Sequence, residues 1–294
     1  MKLNEITRAE RLYKIFIYLV LGILAIMILV PVLWVVMASV KETVEHYGSP
    51  CALPTHIHWQ NFADAWTKAN MGGYIGYSVF VTGLALAILL VVALPASYCL
   101  ARFKFVGQKF LNTCFMAGLF INVNYIVVPI YLMLSDGDKW LKNILGNGFL
   151  LNNHIVVAIV YAATALPFTI YLLSSYFATL PHDFEEAAYI DGAGHTRTML
   201  QVIFPMAKPS IITVILFNFL SFWNEYIIIK TLVTEREQWT LPAGLLNLMQ
   251  AQQSAAEYGP MYAGLVLVML PVLILYICVQ KNLTKGMTVG GLKG

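Results

Sequence analysis

Apolar and polar positions alternate along this chain on a long scale, as six mostly apolar runs separated by shorter polar stretches. The runs are Ile15–Ala38, Ile75–Leu100, Asn112–Leu134, His154–Phe177, Ser210–Ile229 and Met261–Gln280. As helices rising 1.5 Å per residue they reach roughly 30–39 Å, enough to cross a hydrocarbon core of about 30 Å. The pattern predicts an all-α polytopic membrane protein with six transmembrane helices, forming a single membrane domain over residues 1–294. A cleaved signal peptide is the alternative for the first run, but its apolar core exceeds the usual h-region of about 7–15 residues.

Composition agrees with the pattern. Apolar residues make up 59% of the chain and charged ones 11%, against about 25% charged in an ordinary soluble domain. Orientation follows from Lys and Arg placement. With a cytoplasmic N-terminus, inner segments hold Lys2, Arg8, Arg11, Lys14, Arg102, Lys104, Lys109, Arg197, Lys208, Lys281, Lys285 and Lys293. Outer loops hold half as many: Lys41, Lys68, Lys139, Lys142, Lys230 and Arg236. Both termini are therefore expected in the cytoplasm. The net charge of +3 reflects this bias and calls for no nucleic acid. Cys51, Cys99, Cys114 and Cys278 lack C-x-x-C spacing, so neither a disulfide framework nor a cysteine metal site is expected. His56-x-His58 stands in an outer loop without further ligands, and no metal or cofactor is expected.

Prolines 31, 95, 129, 167 and 271 lie inside five of the runs. Each removes a backbone donor and bends its helix, which suits bent helices around a pathway as well as simple packing curvature.

The most informative stretch is Pro181–Pro205, PHDFEEAAYIDGAGHTRTMLQVIFP, a soluble-looking segment between two apolar runs. Pro181 and the acids Asp183, Glu185 and Glu186 suit a helix start. Phe184, Ala187, Ala188 and Asp191 fall on one helical face. Gly192 permits a reversal, a second short helix is expected from about Thr196 to Ile203, and Pro205 should end it. Two short helices across the membrane face, with small alanines at the centre, fit the groove of a soluble partner. An amphipathic element on lipid headgroups fits less well, because its acidic start would be repelled by an anionic leaflet.

Glu186-Ala187-Ala188, Gly192, Val202, Phe204 and Pro205 at this spacing resemble the EAA motif of ABC importer permeases. Val202 and Phe204 replace the usual Ile and Leu. Leu53-Pro54, Trp59-x-Asn61-Phe62, Trp66, Trp223-Asn224-Glu225-Tyr226, Thr240-Leu241-Pro242 and the tail from Gly286 to Gly294 are similar to carbohydrate importer permeases, above all the second permease subunit of maltose-type systems. The resemblance implies a type I importer permease in a bacterial cytoplasmic membrane. Coupling to the ATPase would fall to the loop 181–208 through Glu185, Glu186, Ala187, Ala188, Asp191, Gly192, Ala193 and Pro205. It implies as partners an ATP-binding subunit dimer, a second permease subunit in a heterodimer, an extracytoplasmic solute-binding protein and a carbohydrate substrate.

Ionisable groups within a span are functional candidates because they cost about 2.5–3.5 kcal/mol to insert. Glu225 is the sole acid in an expected span. Asn218, Ser221 and Glu225 form one helical stripe with Asn224 beside it, a candidate lining for a sugar pathway. A pairing of Glu225 with Lys230, or contact with water, is the plainer reading. Asn122 and Asn124 are further pathway candidates, with interhelical hydrogen bonding as their other role.

The chain carries no G-x-x-x-x-G-K-[ST] phosphate loop, so the energy source would be another polypeptide. A stand-alone ion-coupled carrier or channel is the alternative, but it would want more intramembrane charges or an inverted repeat. A membrane-embedded enzyme would want an acid–base or metal cluster on the spans, and none is seen.

Overall fold

The longest helices follow the apolar runs, each carrying a proline in its interior. The computed structural model describes residues 8–255 and 258–291. Its elements begin with α1 (Arg8–Ser39), α2 (Thr43–Gly48), α3 (Gln60–Thr67), α4 (Met71–Arg102), α5 (Gln108–Gly118), α6 (Val123–Leu145) and α7 (His154–Thr179). They continue with α8 (Asp183–Ile190), α9 (His195–Thr198), a π-helical turn (Met199–Ile203), α10 (Phe204–Met206), α11 (Lys208–Trp223) and α12 (Ile227–Leu232). A 3₁₀ turn (Arg236–Gln238), α13 (Leu241–Ala255) and α14 (Tyr258–Gly291) follow. No strand occurs among the described residues. The basic lead-in before Arg8 and the last three residues of the tail lie outside them.

Four helices are individually long and apolar enough to cross a membrane: those spanning Arg11–Ser39, Met71–Arg102, His154–Thr179 and Tyr258–Cys278. Counting two bent pairs as one span each brings the number to six. The first pair, α5 with α6, falls on one expected rod, whereas the second joins the segment His195–Met206 to α11 and begins well before the expected run. The run Asn112–Leu134 is broken where α5 meets α6 at 107°. Gly118 ends α5, and the Asn122 side chain accepts the Asn124 N–H at 2.9 Å to cap α6, a role in which Asn is preferred over helix interior positions. The run Ser210–Ile229 is also interrupted: α11 stops at Trp223, and Asn224–Tyr226 separate it from α12.

The described residues fall into two compact units. One comprises those within Met1–Ala69 and Leu248–Met269, the other those within Asn70–Asn247 and Leu270–Gly294. In the first, the buried Lys41 ammonium donates to the carbonyls of Ser49 (3.1 Å) and Pro50 (2.9 Å). Asn61 donates to the carbonyls of Ser39 and Lys41. Gly259 packs so tightly on Asn61 that a Cβ there would lie 2.6 Å from its amide oxygen. His46 stacks on Tyr262, and Trp34 meets the same ring edge-on.

The second unit is built on α4 packed along α7. Ser78, Val81, Ala85, Leu89, Ala93 and Ser97 form the buried stripe of α4, facing a buried α7 surface that includes Ala158, Ala162, Leu173 and Phe177. In a bilayer, helix association rests on close van der Waals packing, which small residues permit. Ser97 satisfies its buried hydroxyl on its own helix, through the carbonyls of Ala93 and Leu94. Gly118 brings α5 against Pro167 of α7, where a Cβ would come within 2.8 Å of the proline ring.

Candidate functional site

The segment between α7 and α11 adopts the expected helix–Gly–helix form. Leu180 is extended after α7 (φ −72°, ψ 138°), and α8 opens with Asp183, Glu185 and Glu186 in its first turn, where the helix dipole favours negative charge. Gly192 takes a left-handed backbone, φ +80°. Its N–H reaches the Tyr189 carbonyl (3.0 Å) and the Ala193 N–H reaches that of Ala188 (2.9 Å), the paired bonds of a Schellman cap. Pro205 does not end the second helix as expected. The chain runs from α9 through the π turn into α10, and the wider turn accommodates a residue without an N–H. The break falls at Ala207 (φ −82°, ψ 2°), where the chain turns 76° into α11.

Of the face expected to carry Phe184, Ala187, Ala188 and Asp191 together, Ala188 alone turns inward. Glu185 and Ala188, one turn apart, are buried, whereas Phe184, Glu186, Ala187, Asp191 and Gly192 are exposed. Ala193 is half-buried and Pro205 exposed. Ile190, which the sequence pattern did not single out, is 86% exposed at the end of α8. The exposed face thus holds an acid, a small residue and an isoleucine, and Glu185 is not part of it.

Glu185 instead meets Arg102, the last residue of α4. The guanidinium Nε lies 3.3 Å from Glu185 Oε1, with side chains 2% and 9% exposed. Arg102 also donates to the Leu180 carbonyl at 2.7 Å and approaches the His182 ring at 3.2 Å. His182 Nδ1 stands 3.2 Å from the other Glu185 oxygen. Sequence reasoning counted Arg102 only as an orientation charge, and no pattern ties it to an acid 83 positions later.

The pathway candidates are held separately. Asn218 is buried and donates to Thr169 Oγ1 (3.0 Å) and the Val214 carbonyl (2.8 Å), an interhelical role. Ser221 and Asn224 are exposed, and Asn224 donates back to Leu220. Glu225 accepts the Tyr161 hydroxyl at 2.7 Å, while its other oxygen accepts the N–H groups of Ile227 and Ile228 at 2.8 and 2.9 Å. It caps α12. Lys230 lies instead over the Trp239 ring, 5.3 Å from its centre. Asn122 and Asn124 are exposed at the α5–α6 bend. Among the described residues no group of three His, Cys, Asp or Glu is placed to hold a metal.

Helices of membrane length, four singly and up to six if each bent pair is one span, describe a polytopic membrane protein. The family described as "Binding-protein-dependent transport system inner membrane component" matches residues 93–289, and the chain belongs to it. It is 36% identical over 282 residues to the diacetylchitobiose uptake system permease protein NgcG of Streptomyces coelicolor, covering 96% of this chain and 90% of the relative. It is 29% identical to the galactooligosaccharides transport system permease protein GanQ of Bacillus subtilis, covering 95% of each chain. A solved bacterial ABC transporter involved in import of the acidic polysaccharide alginate has the same fold. That match has a TM-score of 0.76 and 24% identity, and covers 94% of this chain and 98% of that one.

Proposed function

We propose that this chain is a permease subunit of an ATP-driven sugar importer, forming half of the pathway and driven through the α8–α9 loop. The supporting observation is the loop itself: its buried face is tied to its own unit, while Glu186, Ala187 and Ile190 stand free. In this reading both termini and the loop are cytoplasmic, as the Lys and Arg bias favours. A cleft of an ATP-binding subunit receives the exposed face of α8. A second permease chain completes the pathway, and an extracytoplasmic binding protein delivers substrate. Oligosaccharides are the favoured substrate class, in line with the diacetylchitobiose and galactooligosaccharide systems of the relatives. Exposed Ser221, Asn224, Asn122 and Asn124 are the better candidates to face the pathway; Asn218 and Glu225 serve packing and capping.

Transport would proceed by alternating access, with ATPase closure biasing the spans between two arrangements. The test is uptake by the complete complex in proteoliposomes, with oligosaccharides screened for stimulated ATP hydrolysis. ATP-dependent uptake of a sugar is expected. Uptake by this chain without any ATPase subunit would favour an ion-coupled carrier and overturn the proposal.

A further inference from the structure

We infer that Arg102 is a positioning residue for energy coupling, locking the angle between α7 and α8 and joining the loop to the end of α4. The inference rests on the reading of α8–α9 as the ATPase-docking element.

Two residues, Leu180 and Pro181, separate the end of α7 from the turn at His182 that opens α8. An extended link of this kind is a pivot: by itself it lets α8 swing without moving α7. Arg102 bridges the pivot. It donates to the Leu180 carbonyl on the α7 side and pairs with Glu185 on the α8 side, while His182 between them approaches both partners. Both charged side chains are almost fully buried. Separating them would strand a charge away from water, so they stay together through any motion that keeps the site dry.

A second contact ties α9 to the same place. Phe103, next along from Arg102, meets the His195 ring edge-on at 5.5 Å, and the Tyr189 hydroxyl lies 2.8 Å from His195 Nδ1. Both short helices are therefore fastened to the end of α4. The opposite end of α4 is fastened as well. Ser78 Oγ accepts the Leu241 N–H at 2.7 Å, and Tyr77 stacks on His154, whose Nε2 lies 2.8 Å from the Gln238 carbonyl. From Ser78 to Arg102 is roughly 36 Å of helix at 1.5 Å per residue. Displacement of the loop is thus delivered to α4 and carried to the segment that leads into α13.

The experiment uses the complete transporter in proteoliposomes, measuring ATP hydrolysed, sugar taken up and ATPase retained. Per folded complex recovered, Arg102→Gln and Glu185→Gln should keep wild-type ATPase stoichiometry and hydrolysis, yet move at least fivefold less sugar per ATP. The double substitution should be no worse than either single one, because the pair acts as a unit. Arg102→Lys keeps the charge but not the reach to both partners; it should fall between and serves if the Gln variants fail to accumulate. In an Arg102→Cys/Glu185→Cys chain, bridging the thiols with a short bis-maleimide should restore most of the lost ratio. An unchanged sugar-to-ATP ratio, loss of bound ATPase in Arg102→Lys, or no recovery on bridging would overturn the inference. Failure of the docking reading would look different: Glu186→Lys would keep its ATPase and remain coupled.

Discussion

The Tyr161 hydroxyl lies 2.7 Å from the Glu225 carboxylate, and the same carboxylate caps the N-terminus of α12. One acid thereby joins the N-terminal third of α7 to the broken end of α11. This engagement gives Glu225 a structural task, since an unpaired carboxylate or phenol at this depth is costly.

Glu225→Ala should lower the thermal midpoint of the purified complex, because it removes charge-assisted hydrogen bonds of about 1.5–3 kcal/mol and strands the buried phenol. Glu225→Gln, which keeps acceptors for the Ile227 and Ile228 amides, should lower it less. A pathway role instead predicts a changed KM for sugar with an unshifted midpoint. Scanning calorimetry beside uptake kinetics separates the two.

Adjacent Glu185 and Glu186 should behave in opposite ways. Glu185→Ala leaves the Arg102 charge buried without its partner, a loss of up to about 3–5 kcal/mol. Glu186→Ala removes an exposed side chain and should change stability by less than about 0.5 kcal/mol, while Glu186→Lys should release the ATPase. Thermal midpoints and ATPase retention on purification check both.

Much of this was legible in the sequence, and the failures have two physical causes. Unbroken apolar runs located α1, α4, α7 and α14, and Gly192 announced the reversal that its φ of +80° confirms. Apolarity does not change where a helix breaks, so the bend after Gly118 and the interruption at Asn224–Tyr226 were hidden. Their signal was the capping chemistry of Asn122 and Glu225. The inward turn of Glu185 was hidden too: successive helical residues point about 100° apart, and Arg102, which selects one of them, lies far away in sequence.

Gly192→Ala should destabilise the loop by about 1–2 kcal/mol through backbone strain, since open space surrounds the position. Gly192→Asn, more tolerant of the left-handed region, should cost less. Limited proteolysis of the loop in the isolated chain measures the difference.

His46 gives a pH dependence. Burial, then the nearby Lys41 charge, lowers its pKa below the ordinary 6.5, so the folded segment favours neutral imidazole. The unfolded segment gains a proton as pH falls through 6.5, whereas the folded one resists until lower pH. The stability of the α2 packing is therefore complete above that value and declines below it. Hydrogen-exchange protection of α2, corrected for the intrinsic exchange rate, should fall as the pH drops below 6.5, and His46→Phe should flatten the dependence.

The most direct measurement places a single cysteine at Glu186, with the four native cysteines replaced by serine, and exposes it to a membrane-impermeant maleimide. Labelling is expected in inside-out vesicles stripped of the ATPase, with protection when the ATPase is restored. Labelling from outside intact cells, or undiminished labelling with the ATPase bound, would contradict a permease gripped at α8 from the cytoplasm.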